Sequence, residues 1–240
     1  SVTFNDIRIT NPSLTIDPNI TDEQGYTIDL GLRGRFKKYV SYDVGVFLLS
    51  YQDRIGVVLR EVSDIEEERF RGNIGDAITY GLESFVDWNI WETFSQNENI
   101  RLNTFVNFAL TESEYTRSGE NNVEGKQVEF IPEINLKTGL SFGYKDILSS
   151  IQYTYLSKQF TDATNSPRDL TSQSGIIGEI PSYDILDFSL SYTYKWFKIE
   201  SGINNLLDNS YFTRRATGYP GPGIIPSQPR TFYALFQFKL

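Results

Sequence analysis

The sequence predicts an all-β fold, an antiparallel up-and-down transmembrane β-barrel, represented here by a partial barrel of about nine strands. Three observations carry this expectation. Apolar and polar side chains alternate with a two-residue period along the whole chain. Short and long connections follow one another in strict order. Aromatic residues are abundant, 15 Tyr and 17 Phe in 240 residues, while no apolar run approaches the ~18 residues a membrane helix needs. Only alternate barrel residues face lipid, so a polar average is compatible with a membrane location.

The strands can be taken in turn. Ile28, Leu30, Leu32 and Phe36 alternate with Thr27, Asp29, Arg33 and Arg35. Ile78, Tyr80, Leu82, Val86 and Trp88 alternate with Thr79, Glu83 and Asp87. Leu102, Val106, Phe108 and Leu110 alternate with Arg101, Asn103, Asn107 and Thr111, with Thr104 and Phe105 as exceptions. Leu136, Leu140, Phe142 and Tyr144 alternate with Asn135, Lys137 and Ser141. The cleanest run is Leu186, Phe188, Leu190, Tyr192, Tyr194 and Trp196 against Asp187, Ser189, Ser191, Thr193 and Lys195. The closing run sets Phe232, Ala234, Phe236, Phe238 and Leu240 against Thr231, Tyr233, Gln237 and Lys239, and Leu235 breaks it. Successive strand side chains point to opposite faces, so each run has one apolar face. The expected strands lie near 26–36, 41–57, 73–90, 99–115, 130–145, 147–161, 183–196, 197–211 and 229–240. No segment has a helical period, and Asn89–Glu98 is expected to form a turn.

The links at Lys37–Val40, Tyr144–Ile147 and Lys195–Phe197 are tight, and Asn89–Glu98 falls where a short link is due. Those at Val58–Gly72, Thr116–Glu129, Thr161–Ser182 and Phe212–Gln228 are long and rich in Gly, Pro, Asn, Ser or charge. Outer-membrane barrels combine short periplasmic turns with longer extracellular loops, so the four long links are expected outside the cell if the chain end is periplasmic. Nine strands are an odd number for a bacterial single-chain barrel. Residues 1–24, with Asn-Pro and Asp-Pro steps, read as the tail of an extracellular loop whose preceding strand is absent.

Composition removes other classes. There is no Cys, Met or His, which excludes zinc fingers, thiol nucleophiles and Ser-His-Asp chemistry and removes the usual soft-metal ligands. The net charge of −9 opposes a nucleic-acid role, which calls for a basic face. The acidic run Glu61, Asp64, Glu66, Glu67 and Glu68 reads as a solvated loop rather than a cation site. No paired-carboxylate or nucleophile arrangement emerges, and no enzyme is expected. A soluble all-β binding or adhesion module is the competing reading.

Four segments resemble a known family: NPSLTIDPNITDEQGYTIDLGLRG (11–34), SYDVGVFLLSYQDRIG (41–56), FRGNIGDAITYGLESFVDW (70–88) and the stretch from Gly202 to Leu240. In the last of these, Asn205, Asp208, Tyr211 and Phe212 precede Pro229, Arg230, Thr231, Phe232 and Tyr233 in a pattern similar to the family's final hairpin. The chain resembles the C-terminal barrel portion of a TonB-dependent outer-membrane receptor of the ferric-dicitrate (FecA-like) and siderophore type. The family commonly ends in an aromatic residue, whereas Leu240 closes this chain, with Phe236 and Phe238 retaining the pattern.

The resemblance implies residues 1–240 as the C-terminal part of a roughly 22-stranded plugged barrel, with about 13 strands and the plug upstream. It implies residence in the outer membrane of a Gram-negative bacterium, among lipid and lipopolysaccharide. It also implies a ferric chelate, ferric citrate or another siderophore, as transported ligand rather than cofactor. The TonB–ExbB–ExbD complex would act through the plug. Cobalamin, a nickel chelate or an oligosaccharide are alternative cargoes. Such chelates are anionic, and arginine suits bidentate carboxylate recognition. Arg214 and Arg215, in the final long link, are therefore the leading ligand-binding candidates, followed by Arg54 and Arg168. The same arginines could instead hold their loops together or face lipopolysaccharide phosphates. Asp29, Arg33, Glu83, Arg101, Lys137, Asp187, Lys198 and Glu200 are expected to line the lumen and pair there.

Overall fold

A computed structural model describes residues 14–63, 66–95, 97–167, 175–216 and 223–238. Nine long strands form one antiparallel meander. They are β2 (Gln24–Phe36), β3 (Val40–Ser63), β4 (Glu66–Asn89), β5 (Ile100–Ser118), β6 (Ile134–Tyr144), β7 (Ile147–Leu156), β8 (Tyr183–Tyr194), β9 (Phe197–Asn204) and β12 (Thr231–Phe238). Three short strands accompany them: β1 (Leu14–Ile16), β10 (Phe212–Ala216) and β11 (Gly223–Pro226). The sheet order runs from β12 through β9 to β2, each strand beside its sequence neighbour, while β10 and β11 pair separately within the last long link.

Cross-strand register sorts the side chains. Directly opposed residues share a face, and one row joins Phe36, Val40, Trp88, Thr104, Leu140, Ile151, Phe188, Ile203 and Phe232. The row at the short-turn end joins Ile100, Tyr144, Ile147, Tyr192, Ile199 and Phe236. This apolar face is widely exposed, with Leu30 at 73% and Phe236 at 63% of their full accessibility. The other face carries all eight residues expected in the lumen. Arg33 pairs with Asp43 at 2.5 Å across β2 and β3, and Lys198 with Glu200 at 2.7 Å along β9.

The exceptions to alternation have a local cause. Phe105, on the polar face, stands opposite Gly139, where its ring occupies the space a Cβ would fill. Thr104, on the apolar face, donates its hydroxyl to the Gly139 carbonyl at 2.9 Å. Phe47 over Gly81 and Tyr233 over Gly202 repeat the arrangement. Each ring covers backbone that glycine leaves bare.

Several boundaries differ from the sequence expectation. Val58–Gly72 is not a loop: β3 and β4 stay paired up to Ser63 opposite Glu66. At ~3.3 Å per residue, each 24-residue strand reaches about 80 Å, where roughly 9–11 residues cross a bilayer. Polar residues along this hairpin masked its strand character. Its edges are protected, since β1 pairs in parallel with β4 at Arg69–Arg71 and the Ala163 amide donates to the Val57 carbonyl at 2.8 Å. The strand expected at 197–211 stops at Asn204, because Asn205 turns with φ 53°. That expected at 147–161 stops at Leu156, and that expected from 130 begins at Ile134.

Asn89–Glu98 contains a single helical turn, α1 (Ile90–Phe94). Asn89 caps this turn, its Oδ1 accepting the Glu92 amide at 3.0 Å and its Nδ2 donating to Glu92 Oε2 at 2.8 Å, while its own backbone N–H donates to the Tyr39 carbonyl at 2.8 Å. Five residues are too few to show a period, so the spacing of Asn89 and Glu92 was the available signal.

A candidate ligand-binding face at the long-link end

The sheet is a single layer, and its densest packing lies at the long-link end on the polar face. Val58, Phe70, Ile74, Ala77, Tyr115, Val123, Val128 and Ala163 form one buried cluster. It is built where the β5–β6 link folds back, with the Tyr115 amide donating to the Lys126 carbonyl at 2.9 Å, and where the β7–β8 link crosses to β3. Asn165 ties the two links together by accepting the Gln127 amide and donating to the Gln127 carbonyl, both at 2.8 Å.

Polar groups are sealed into this cluster. Tyr115 is fully buried and donates its hydroxyl to Glu129 Oε2 at 2.7 Å. Burial, followed by the Glu129 charge and this hydrogen bond, pushes the Tyr115 hydroxyl well above its ordinary value, with Arg54 opposing. Arg54 also lies over the Tyr51 ring at 5.2 Å, and its Nε is buried with no acceptor among the described residues. Arg69 is similar. Burial lowers its pKa, Asp162 acts in the opposite direction, and its Nη1 is buried without an acceptor among the described residues. Asp162 Oδ1 accepts from Thr164 and Ser166, while Oδ2 has no partner among the described residues. Buried donors and acceptors left open are uncommon, and they fit an ordered water or a polar ligand group. Arg60, by contrast, is satisfied by Glu120 through contacts of 3.1 and 2.5 Å and stacks on Phe70.

The predicted arginines occupy different places. Arg215 fastens the β10–β11 hairpin to the β7–β8 link, donating to the Gly175 carbonyl at 2.7 Å and to the Glu179 carbonyl at 2.7 and 3.2 Å. This is the loop-holding role. Its neighbour Arg214 is exposed. Below the hairpin, Pro181, Tyr211, Phe212, Ile224 and Pro226 line a cleft of about 420 Å³. Arg54 belongs to the Tyr115–Glu129 cluster instead, and Arg168 lies outside the described residues. Arg69 and Asp162 escaped the sequence reading, because one falls in an expected acidic loop and the other in a long link. Of the acidic run, Glu68 accepts a hydrogen bond from Thr15, Asp64 lies outside the described residues, and the side chains of Glu61, Glu66 and Glu67 are likewise outside the description. Among the described residues no acidic cluster is arranged to hold a metal.

Residues 3–206 match the protein family described as TonB dependent receptor-like, β-barrel. The chain belongs to this family. Members are transporters and receptors of the Gram-negative outer membrane rather than enzymes, so the polar face is the lumen side and the apolar face the lipid side. Among solved structures, the chain is similar to the ferric citrate transporter FecA in its unliganded form, at 20% identity and a TM-score of 0.70, over 88% of this chain and 30% of that one. It is similar to the ferric yersiniabactin uptake receptor FyuA from Yersinia pestis, at 18% identity and a TM-score of 0.66, over 90% and 30% of the two chains. The copper transporter OprC gives 16% identity and a TM-score of 0.64, over 92% and 33%. At these identities the likeness is one of fold, and the chain spans about a third of each relative. No curated protein sequence matches it.

Proposed function

We propose that this chain forms the C-terminal barrel portion of a TonB-dependent receptor that takes up an anionic ferric chelate, ferric citrate or another siderophore, into the periplasm. The observation that carries the reading is a set of arginines at the long-link end of a barrel of this family. Arg54 and Arg69 hold buried N–H groups with no acceptor among the described residues, and Arg214 is exposed on the hairpin whose Phe212 and Ile224 line the aromatic cleft. A carboxylate or catecholate chelate supplies the acceptors that such donors lack. The TonB–ExbB–ExbD complex would act through a plug domain, and these residues would contribute part of the ligand cavity.

A bare copper ion fits less well. The 240 residues contain no His, Cys or Met, the side chains that soft copper sites use. Cobalamin, a nickel chelate or an oligosaccharide is compatible with the same barrel. The test is uptake of labelled ferric citrate by cells producing the full-length receptor, with and without TonB, beside a panel of these cargoes. Uptake that requires TonB supports the reading. Uptake indifferent to TonB overturns the mechanism, and uptake of another cargo alone overturns the ligand.

A further inference from the structure

The short-turn end carries a repeated arrangement that ligand uptake does not use. Three tight turns close this rim: Lys37–Tyr39 between β2 and β3, Lys145–Asp146 between β6 and β7, and Lys195–Trp196 between β8 and β9. Each begins with a lysine in the left-handed region, at φ 50°, 51° and 41° for Lys37, Lys145 and Lys195. Turn positions of this kind favour glycine, asparagine or aspartate, because a Cβ crowds the adjoining carbonyl and only a short polar side chain compensates locally. Among the other described residues the preference is followed at Asp53, Asn122, Asn165, Asn205 and Asp208, with Phe130 the one further exception. The lysines at the rim therefore have a use that the turn itself does not supply.

Their surroundings indicate that use. Each ammonium lies over the ring of the residue before it: Lys37 over Phe36 at 5.8 Å, Lys145 over Tyr144 at 5.3 Å and Lys195 over Tyr194 at 5.4 Å. All three rings belong to the apolar, lipid-side face, where they are 63%, 47% and 40% exposed. The charges are thus held on the outside of the rim, away from the lumen. Trp196, stacked on Phe238 at 5.8 Å, extends the same aromatic belt. Lys37, Lys145 and Lys195 form no ion pair among the described residues, and Asp146 leaves its neighbour Lys145 unpaired. Lys38, the adjacent cation, is engaged by Glu92 and differs from them in this.

We propose that the short-turn rim is a docking surface for anionic phospholipid headgroups of the periplasmic leaflet, with Lys37, Lys145 and Lys195 binding the phosphates and Phe36, Tyr144 and Tyr194 seating at the acyl boundary. The inference rests on the outer-membrane reading, which places this end at the periplasmic surface. Lysine suits the task, since its apolar stem packs against a ring while the ammonium reaches the headgroup layer. The net charge of −9 makes general attraction to an anionic surface an insufficient explanation, so the effect must be local.

The test places the full-length receptor, purified from outer membranes, in lipid nanodiscs of phosphatidylcholine alone or with one-third phosphatidylglycerol, and measures the retained phosphatidylglycerol. Three variants are compared: Lys37, Lys145 and Lys195→Asn, which suits the backbone and removes the charge; the same three→Arg, which keeps the charge; and Lys126, Lys137 and Lys158→Asn, which removes equal charge elsewhere. The rim Asn variant is expected to lose the phosphatidylglycerol preference by about tenfold or more, with the Arg and control variants within about twofold of the parent. Equal loss in the control variant, or an unchanged preference in the rim Asn variant, overturns the proposal while leaving the receptor reading intact. A receptor that enters neither kind of nanodisc overturns both.

Discussion

The Asp208 carboxylate accepts the backbone N–H of Arg230 at 3.0 Å, across the whole of the last long link. Arg230 returns the contact by donating Nε to the Leu206 carbonyl at 3.1 Å. Beneath them Asn205, 3% exposed, accepts the Asn209 amide at 3.0 Å and donates to the Asn209 carbonyl at 2.9 Å, while its own amide is held by Asp187 at 2.8 Å. The residues that carry the family resemblance therefore form a latch. It closes the base of the β10–β11 excursion so that β12 enters the sheet beside β9.

Substitution of Asn205 should open that latch. Asn205→Ala removes the side-chain hydrogen bonds to the Asn209 amide and to the Asn209 and Gln228 carbonyls and leaves alanine in a left-handed backbone, a combined loss of about 2–4 kcal/mol. Asn205→Gly restores the backbone freedom and should fall between the parent and the alanine variant. Chemical unfolding of the receptor in vesicles checks the order, and equal stability of all three proteins would refute the latch.

Gly139→Ala should destabilise by about 1–3 kcal/mol, because the new methyl group meets the Phe105 ring. Phe105→Ala in the same chain should recover part of the loss. A double-mutant cycle measures the coupling, and additivity would show that the ring does not depend on the glycine.

Tyr115 predicts a dependence on alkaline pH. Its hydroxyl is held above its ordinary value, so the folded loops keep a proton that the unfolded chain releases. The contribution is complete below about pH 10 and declines as pH rises further. Hydrogen exchange of the 119–129 segment should accelerate above that pH. Tyr115→Phe should remove the alkaline slope and cost about 1–3 kcal/mol throughout, since Glu129 loses its donor.

The adjacent arginines should separate. Arg215→Ala frees the β10–β11 hairpin from Gly175 and Glu179, so proteolysis there should increase. Arg214→Ala should change stability by no more than about 0.5 kcal/mol and, if Arg214 meets the chelate, weaken binding about tenfold. Titration of ferric citrate onto both variants distinguishes ligand contact from scaffolding.

Much of the architecture was legible from local pattern. Ile28 to Phe36 and Leu186 to Trp196 alternate because lipid and lumen impose opposite solvents on successive side chains, which one strand records by itself. The alternation of links placed all four excursions at one end. The β3–β4 hairpin was illegible because both of its faces leave the bilayer above Tyr51, where solvent no longer enforces alternation. The loop-end cluster was hidden for a different reason: Arg54, Tyr115, Glu129, Arg69 and Asp162 come from five separate connections or strands, and no spacing along the chain relates them.

The sequence by itself determined the all-β class, the strand order, the lumen and lipid faces and the family's closing motif, since period-two patterning and turn chemistry act over a few residues. Only the tertiary structure decided which arginine fastens a loop, which buried donors remain open, and that three rim lysines hold left-handed turns with their ammonium groups over exposed rings. Those depend on distances and desolvation between segments that meet only when the sheet is assembled.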